Sequence, residues 1–199
     1  MNLLQDILIK SISKNSRVID LGCGEGELLE ILIKKKGCTV VGIEKSFDCV
    51  LSSIRRGINV YQGDILDGIQ RFESQSFDVA ILSQTLQQVL DPIEVMRELC
   101  RISKIVIVTF PNFAHWRIRA QLLLSGVPPK TEQIPYDWHD TPNIRVITIK
   151  DFRRVCNNHN IKIVQQIPLL KTAIQRWLFP LRLTNLLTKK GFFIIQSKT

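Results

Sequence analysis

The segment "VIDLGCGEGELLEIL", residues 18–32, joins an apolar run to a run with helical spacing through three closely spaced glycines. Glycine inside a helix or strand costs stability, so Gly22, Gly24 and Gly26 need a structural reason. Glycine lets the chain turn sharply and lets a ligand approach the backbone closely. Free amide groups at the start of the following helix bind negatively charged groups. The segment therefore predicts a strand, a glycine turn and a helix that hold a nucleotide-like ligand.

Apolar runs and segments with helical spacing alternate along the chain. Runs rich in Val, Ile and Phe predict strands at 17–22, 39–44, 58–64, 77–84, 104–110, 161–167 and 191–198. Helical spacing predicts helices at about 26–36, 46–56, 91–102 and 149–159. Asp91 before Pro92, and Thr148 three residues before Asp151, are typical starts of the last two helices. This alternation predicts an α/β fold with a doubly wound, mostly parallel seven-stranded sheet flanked by helices.

Residues 111–148 interrupt the alternation. They contain five prolines, two of the three Trp and two of the three His. A connection of this length without a strand is uncommon in a compact domain and is usually functional. We therefore expect one domain over residues 1–199, with an insertion or flap rich in proline and aromatic residues at about 111–148.

The composition gives the chain a formal net charge of +9, from 27 Lys and Arg against 18 Asp and Glu. Such a charge attracts nucleic acid or an acidic protein surface, but short basic clusters spread along a chain are typical of solvated helix ends. The sequence has no run of about 18 apolar residues, so we expect no membrane span. The first residues lack the pattern of a signal peptide. The five scattered cysteines have no metal-ligand spacing, so we expect reduced thiols, no metal and a cytoplasmic protein.

Asp20 heads the glycine turn, which reads D-x-G-x-G-x-G rather than the GxGxxG of dinucleotide-binding proteins. In this form the segment resembles the class I methyltransferases that bind S-adenosylmethionine. The resemblance implies that Glu44, at the end of the second strand, accepts the ribose hydroxyls, and that Asp64 and Ile65 lie beside the adenine. We expect S-adenosylmethionine or S-adenosylhomocysteine as the cofactor, bound by residues at the ends of the first four strands: Asp20, Gly22, Cys23, Gly24, Gly26, Glu44, Lys45, Asp64, Ile65, Ser83 and Gln84.

The sequence identifies no catalytic group. Methyl transfer mainly requires that a nucleophile be held in line with the methyl donor, so no fixed triad is expected. His115, His139 and Asp140 are candidates for a base, whereas His159 is expected at a helix end. The segment "SQTL" stands where amide-nitrogen and amino-base methyltransferases often have (N/D)PP(Y/F). This difference disfavours DNA adenine and protein glutamine as substrates.

Longer sequence segments in the second half of the chain resemble those of one family. "SQTLQQV", "FPNFAHWRIRAQLLLSG" and "PYDWHDTPNIRVITIKDF", with the opening glycine segment, are similar to the bacterial methionine biosynthesis protein MetW over about residues 1–168. The chain departs from the family at Ala114, where glycine is usual, and at Arg145, where histidine is frequent. The resemblance implies a methyltransferase fold tied to methionine synthesis. It also implies a partnership with homoserine O-acyltransferase, whose activity MetW-like proteins support.

A partner requires a surface, and segment 111–148 supplies residue types that are enriched at interfaces. The expected partner or flap residues are Phe113, His115, Trp116, Arg117, Tyr136 and Trp138, with Phe110 and Arg119 as further candidates. Two interpretations stay open, a partner surface and a flap that closes on the cofactor and buries its aromatic side chains. The C-terminal segment "AIQRWLFPLRLTNLL", residues 173–187, is expected to be a core or loop-helix segment, since Pro180 interrupts it.

Three functions remain open for this sequence. The leading hypothesis is a regulatory or assembly subunit that binds the cofactor and supports the acyltransferase. The second is an active methyltransferase that acts on a small molecule. The third is a tRNA or rRNA methyltransferase or binder, motivated by the net charge of +9.

Overall fold

The computed structural model describes residues 3–132, 134–169 and 183–198. Seven strands in these residues form one sheet: β1 (Arg17–Leu21), β2 (Thr39–Glu44), β3 (Asn59–Gln62), β4 (Phe77–Ser83), β5 (Ser103–Pro111), β6 (Ile161–Gln166) and β7 (Lys190–Ser197). Their order across the sheet is β3-β2-β1-β4-β5-β7-β6, and β7 runs antiparallel to both of its neighbours. The other pairs are parallel. The predicted seven-stranded, mostly parallel fold is confirmed.

The described helices lie between these strands: α1 (Leu3–Lys10), α2 (Glu27–Lys36), α3 (Phe47–Arg55), α4 (Ile65–Ile69), α5 (Pro92–Ile102), α6 (Trp116–Ser125), α7 (Ile149–Asn158) and α8 (Thr184–Leu187). A 3₁₀ turn at Leu86–Gln88 follows β4. Helices α2, α3, α5 and α7 match the four predicted ones. Two predicted starts are also confirmed, because Asp91 accepts a hydrogen bond from the Glu94 amide at 3.0 Å and Thr148 accepts one from the Asp151 amide at 3.1 Å.

Each face of the sheet has its own apolar core. Ile19 and Leu21 of β1 belong to a cluster with residues of α4, α5 and α7. Val18, on the opposite face of the same strand, packs with Leu8 of α1 and Leu29 of α2. Burial on both faces explains why the central strands are near-continuous apolar runs, and it leaves the ends of the strands as the place for polar chemistry.

The described residues of segment 111–148 form one helix, α6, and an irregular stretch with a bridge between Thr131 and Ile134. Most of the C-terminal segment 173–187 lies outside the described residues, apart from its end at α8. Among the residues described, no helix has the length and apolar character needed to cross a membrane. All five cysteines are free thiols.

Candidate functional site

The glycine turn lies between β1 and α2 and has a left-handed backbone, with φ of 71° at Gly22, 56° at Gly24 and 77° at Gly26. An added Cβ at Gly22 would lie 2.7 Å from Thr85 Oγ1, and one at Gly26 would lie 2.5 Å from Ile58 Cδ1. Packing within the protein therefore explains both of these glycines. A Cβ at Gly24 would meet no described atom within 4 Å. The bare backbone of Gly24 thus faces open space that a ligand can enter.

Asp20 is buried near the end of β1, with 4% of its surface exposed. Its Oδ1 atom is buried and has no hydrogen-bond partner among the described residues. Burial, followed by the charge of Glu44, raises the pKa of Asp20 to about 7, although a hydrogen bond from the Leu21 backbone opposes the shift. A buried acceptor without a donor is costly. A cationic donor on a ligand would satisfy this oxygen and favour the ionised carboxylate.

Glu44 ends β2 and holds the glycine turn in place. Its Oε2 accepts the Gly24 amide at 2.9 Å, while Oε1 accepts the amides of Lys45 at 2.8 Å and Ser46 at 2.9 Å. A carboxylate has about four acceptor positions, so these bonds leave about one for a ligand. The expected contact with both ribose hydroxyls therefore requires Glu44 to release a backbone amide. The sequence gives no signal for this role, because Gly24 lies 20 residues away along the chain.

Asp64 follows β3 and caps α4, since its Oδ1 accepts the Leu66 amide at 3.0 Å. Ile65, the first residue of α4, packs partly buried against the core. The Gly63 amide donates to the Glu44 carbonyl at 3.0 Å and joins the ends of β2 and β3. Glu44 and Asp64 therefore lie at adjacent strand ends, as one nucleoside requires. Their contact with a nucleoside stays a prediction.

Ser83 and Gln84 lie at the end of β4, which is tied to both neighbouring strands. The hydroxyls of Ser83 and Thr109 are 3.0 Å apart, and the Gln84 amide donates to the Thr109 carbonyl at 2.9 Å. On the other side, Thr85 Oγ1 donates to the Leu21 carbonyl at 3.2 Å. These bonds fix one wall of the space beside the glycine turn.

A cleft of about 480 Å³ opens at this edge of the sheet, and sites for small molecules measure roughly 300–1,000 Å³. Among the residues predicted for the cofactor, those that line the cleft are Asp20, Gly22, Cys23, Ser83 and Gln84. The lining is completed by residues of α1, of the turn and start of α2, and of β7: Leu4, Gln5, Leu8, Glu25, Glu27, Leu28 and Lys190. The predicted residues outside this lining are Gly24, Gly26, Glu44, Lys45, Asp64 and Ile65.

Helix α1 and Lys190 are not predicted from the sequence as parts of the site. For α1 a signal exists, because Leu4 and Leu8 recur at helical spacing in "LLQDILIK". No local signal exists for Lys190. It reaches the cleft because β7 is antiparallel, so that its first residue pairs with Pro111 at the end of β5. Only the strand order reveals this neighbour.

The titratable side chains nearest to the turn do not form a nucleophile and base. Burial, followed by the charges of Asp20 and Glu44, raises the pKa of Cys23 to about 12. Because only the thiolate is strongly nucleophilic, this shift disfavours Cys23 as a nucleophile at neutral pH. Across the described residues, no group of three or more His, Cys, Asp or Glu is arranged to hold a metal ion.

The candidate bases lie away from the cleft lining. His115 is buried and caps α6, with Nδ1 accepting the Arg117 amide at 3.3 Å. Its pKa is lowered, first by burial and then by nearby positive charges. His139 and Asp140 are exposed in the irregular part of segment 111–148. His159 ends α7, as predicted.

The aromatic residues of segment 111–148 differ in burial. Trp116 and Tyr136 are exposed, Trp138 is 78% exposed, and the Arg117 guanidinium lies 5.4 Å from the Trp116 ring centroid. Phe113 is half-buried and lines a separate cavity of about 240 Å³.

Phe110 was expected with this surface, and that expectation is wrong. Its ring lies in the core, 5.0 Å from the ring centroid of Phe152 and 5.9 Å from that of Phe193. Phe110 belongs to β5, where alternate side chains point into the core, so the strand and not the following segment determines its burial.

The fold is shared with known proteins. The S-adenosylmethionine-dependent methyltransferase from Mesorhizobium loti superimposes with a TM-score of 0.68, covering 98% of this chain and 97% of that chain at 15% identity. The [4+2]-cyclase SpnF gives a TM-score of 0.67, covering 98% and 80% at 15% identity. Likeness at such identities shows the fold and not the reaction. The class defined by fold and strand order is the Rossmann-like fold of S-adenosylmethionine-dependent methyltransferases.

The family is more specific. The family model described as methionine biosynthesis protein MetW matches residues 4–195. The bifunctional methionine biosynthesis protein MetXA/MetW of Rhodopirellula baltica is 32% identical over 176 residues, which cover 84% of this chain and 28% of that protein. The chain therefore belongs to the MetW family, and it spans less than a third of the length of this relative.

Proposed function

We propose that the chain binds S-adenosylmethionine or S-adenosylhomocysteine at the carboxyl edge of β1, β2 and β4. The observation that carries this proposal is the buried, unpartnered Oδ1 of Asp20 in the wall of a cleft of about 480 Å³. An ammonium group on the ligand supplies the donor that Asp20 lacks. The open space at Gly24 supports the same conclusion, because a side chain there would obstruct a ligand beside the turn.

In this proposal each residue has a limited task. Asp20 orients the ligand's positive end, and the end of β4 forms a fixed wall. Glu44 offers about one free acceptor position to the ribose, while the second oxygen of Asp64 is the candidate contact for the adenine. When bound, S-adenosylmethionine supplies an electrophilic methyl group, whereas S-adenosylhomocysteine does not.

Titration calorimetry with S-adenosylhomocysteine tests the binding. We expect Glu44→Ala to weaken binding by roughly 10- to 100-fold, because it removes a charged acceptor and releases the glycine turn. Glu73→Ala, a change at an exposed carboxylate, is the matched control and should bind as the wild type does. Equal, tight binding by the wild type and Glu44→Ala would remove Glu44 from the site.

We further propose that the chain is a partner of homoserine O-acyltransferase and that residues 1–199 form one domain with segment 111–148 inserted. The Rhodopirellula relative supports the partnership, because its name joins MetXA and MetW in one polypeptide. The exposed aromatic residues of segment 111–148 support a partner surface rather than a flap that buries them. Ligand occupancy could then report the output of methionine synthesis, provided that the free and bound forms differ in partner affinity.

Co-expression with the homoserine O-acyltransferase of the same organism tests the partnership. We expect the two proteins to co-purify and the acyl-transfer rate to rise when this chain is present. Adding S-adenosylmethionine or S-adenosylhomocysteine to the purified pair tests the sensing role. Absence of both co-purification and a rate effect would reject the partnership and favour the second candidate.

The second candidate is an active methyltransferase for a small molecule. A second cavity, of about 290 Å³, favours this candidate, because it lies next to the cleft. Pro111 and Lys189 line the second cavity, and they are the strand partner and the sequence neighbour of Lys190, which lines the cleft. A methyl acceptor held there needs proximity rather than a dedicated base. The test is transfer of a labelled methyl group from S-adenosylmethionine to a component of a cell extract with repeated turnover.

A further inference from the structure

The cleft contains two opposite charges that form no hydrogen bond or ion pair with a described side chain. The acidic residues of its lining are Asp20, Glu25 and Glu27, and the basic residue among the described lining residues is Lys190. Glu25 and Glu27 lie 3.8 and 3.7 Å from the Arg56 guanidinium. Asp20 Oδ1 and the Lys190 ammonium have no hydrogen bond or ion pair within the described part of the chain.

The position of Lys190 follows from the topology. It opens β7 and pairs with Pro111, so it reaches the carboxyl edge of the sheet together with Asp20 of β1 and Ser83 of β4. Its neighbour Lys189 pairs with Glu132 at 3.3 Å instead. Partial burial lowers the pKa of Lys190, and the charge of Glu132 only partly opposes the shift. A half-buried ammonium without an anion costs free energy, which a ligand carboxylate would recover.

We propose that Lys190 binds the carboxylate of the ligand's amino-acid end while Asp20 binds its ammonium, so that the cleft selects nucleosides that carry a complete amino acid. This inference rests on the proposed binding of S-adenosylmethionine or S-adenosylhomocysteine. Two opposite charges in one cleft match a zwitterion, whereas three carboxylates without a cation would repel a ligand carboxylate. The apolar side chains of Leu4 and Leu8 in α1 line the same cleft and offer an apolar surface to the aliphatic part of the ligand's amino-acid end.

Calorimetry with two ligands tests this selection. S-adenosylhomocysteine has the amino acid, and 5′-methylthioadenosine has the same adenosine and thioether without it. We expect the wild type to prefer S-adenosylhomocysteine. Lys190→Met should weaken its binding by roughly 10- to 100-fold and leave that of 5′-methylthioadenosine unchanged. Lys190→Arg should retain the preference, and Lys162→Met, a change at an exposed lysine of β6, is the matched control that should behave as the wild type does. Thermal unfolding of each variant checks that it is folded.

The outcomes separate this inference from the proposed function. A wild type that binds neither ligand rejects the binding proposal and this inference with it. Wild-type binding together with unchanged S-adenosylhomocysteine affinity in Lys190→Met rejects the inference alone. Equal weakening of both ligands in Lys190→Met also rejects it, because a role in the shape of the cleft rather than in carboxylate recognition would then explain the effect.

Discussion

The glycine turn and segment 111–148 differ in the kind of group that lacks contacts within the described residues. At the turn, the amides of Gly24, Lys45 and Ser46 are bound by one carboxylate, whereas a buried oxygen of Asp20 has no hydrogen-bond partner among the described residues. In segment 111–148, large apolar side chains are exposed instead, above all in α6, where Leu123 is 85% and Leu124 is 84% exposed. The first region matches the proposed small polar ligand, and the second matches the proposed partner surface.

This difference indicates how binding and stability are divided. A buried, unsatisfied carboxylate lowers the stability of the fold until a ligand arrives. Exposed leucines on a helix cost the monomer little, so their replacement should affect a partner and not the fold. Replacements in the two regions should therefore change the free energy of unfolding by different amounts.

The largest change is expected for Asp20→Asn. The pKa of Asp20 is about 7 in the folded protein, against 3.8 for an aspartate exposed to water. The folded state therefore holds this proton more tightly, and the stability this adds is complete below about pH 4 and lost as the pH rises to about 7. At about pH 8 we expect Asn, which carries no charge, to raise the free energy of unfolding by roughly 2–4 kcal/mol. Urea denaturation measures the gain.

The pH dependence is the control for this prediction. The advantage of Asp20→Asn should shrink at about pH 5, where the wild-type carboxyl is largely protonated in the folded state. The same variant should bind S-adenosylhomocysteine at least about 10-fold more weakly, because it lacks the charge that binds the ammonium. A variant that is less stable than the wild type at both pH values would contradict the idea that this carboxylate is kept for a ligand.

The next change in size is a loss of stability, which is expected for Gly26→Ala, with Gly24→Ala as its matched control. Both glycines are left-handed, which costs an alanine about 1–2 kcal/mol. At Gly26 the new Cβ would also meet Ser53 Oγ at 2.7 Å, and that hydroxyl donates to the Gly24 carbonyl at 3.0 Å. We expect about 3 kcal/mol of destabilisation for Gly26→Ala and about 1 kcal/mol for Gly24→Ala in urea denaturation.

Ligand binding separates the two glycines in the opposite order. Gly24→Ala places a methyl group in the open space beside the turn, so it should weaken S-adenosylhomocysteine binding more than Gly26→Ala does at temperatures where both are folded. Equal binding by Gly24→Ala and the wild type would show that no ligand approaches the turn at this residue.

Much of the fold follows from local sequence signals. The central strands are recognisable because both of their faces are buried, and α5 and α7 because Asp91 and Thr148 cap them. Helices α4 and α8 have five and four residues, too few for a clear period. The strand prediction for residues 104–110 includes Phe110, but its further interpretation as a surface residue is wrong, because its environment is set by the distant Phe193.

The candidate site is harder to predict than the fold, because part of it comes from residues that are distant in the sequence. Asp20 lies near the end of β1 and the glycines follow this strand, so they form a local pattern that the sequence indicates. The cleft also needs Lys190, which comes from β7, the antiparallel strand. The bond from the Gly24 amide to Glu44 depends on how close the ends of β1 and β2 lie, which no spacing in the sequence encodes.

The smallest change in stability is expected for the double variant Leu123→Gln and Leu124→Gln in α6. Glutamine has nearly the helix propensity of leucine, and neither leucine is buried. The free energy of unfolding should therefore stay within about 0.5 kcal/mol of the wild type. Affinity for homoserine O-acyltransferase should nevertheless fall by about 10-fold or more if these side chains belong to the interface. Surface plasmon resonance with the immobilised acyltransferase measures the affinity.

The matched control is Ile54→Gln, which removes an exposed apolar side chain from α3. If the control weakens partner binding as much as the double variant does, then loss of exposed apolar area in general explains the effect, and α6 is not a specific contact. If the double variant is strongly destabilised, then α6 packs against something that the leucine exposures do not reveal. Only a stable double variant with weak partner binding would support the division proposed between the two regions.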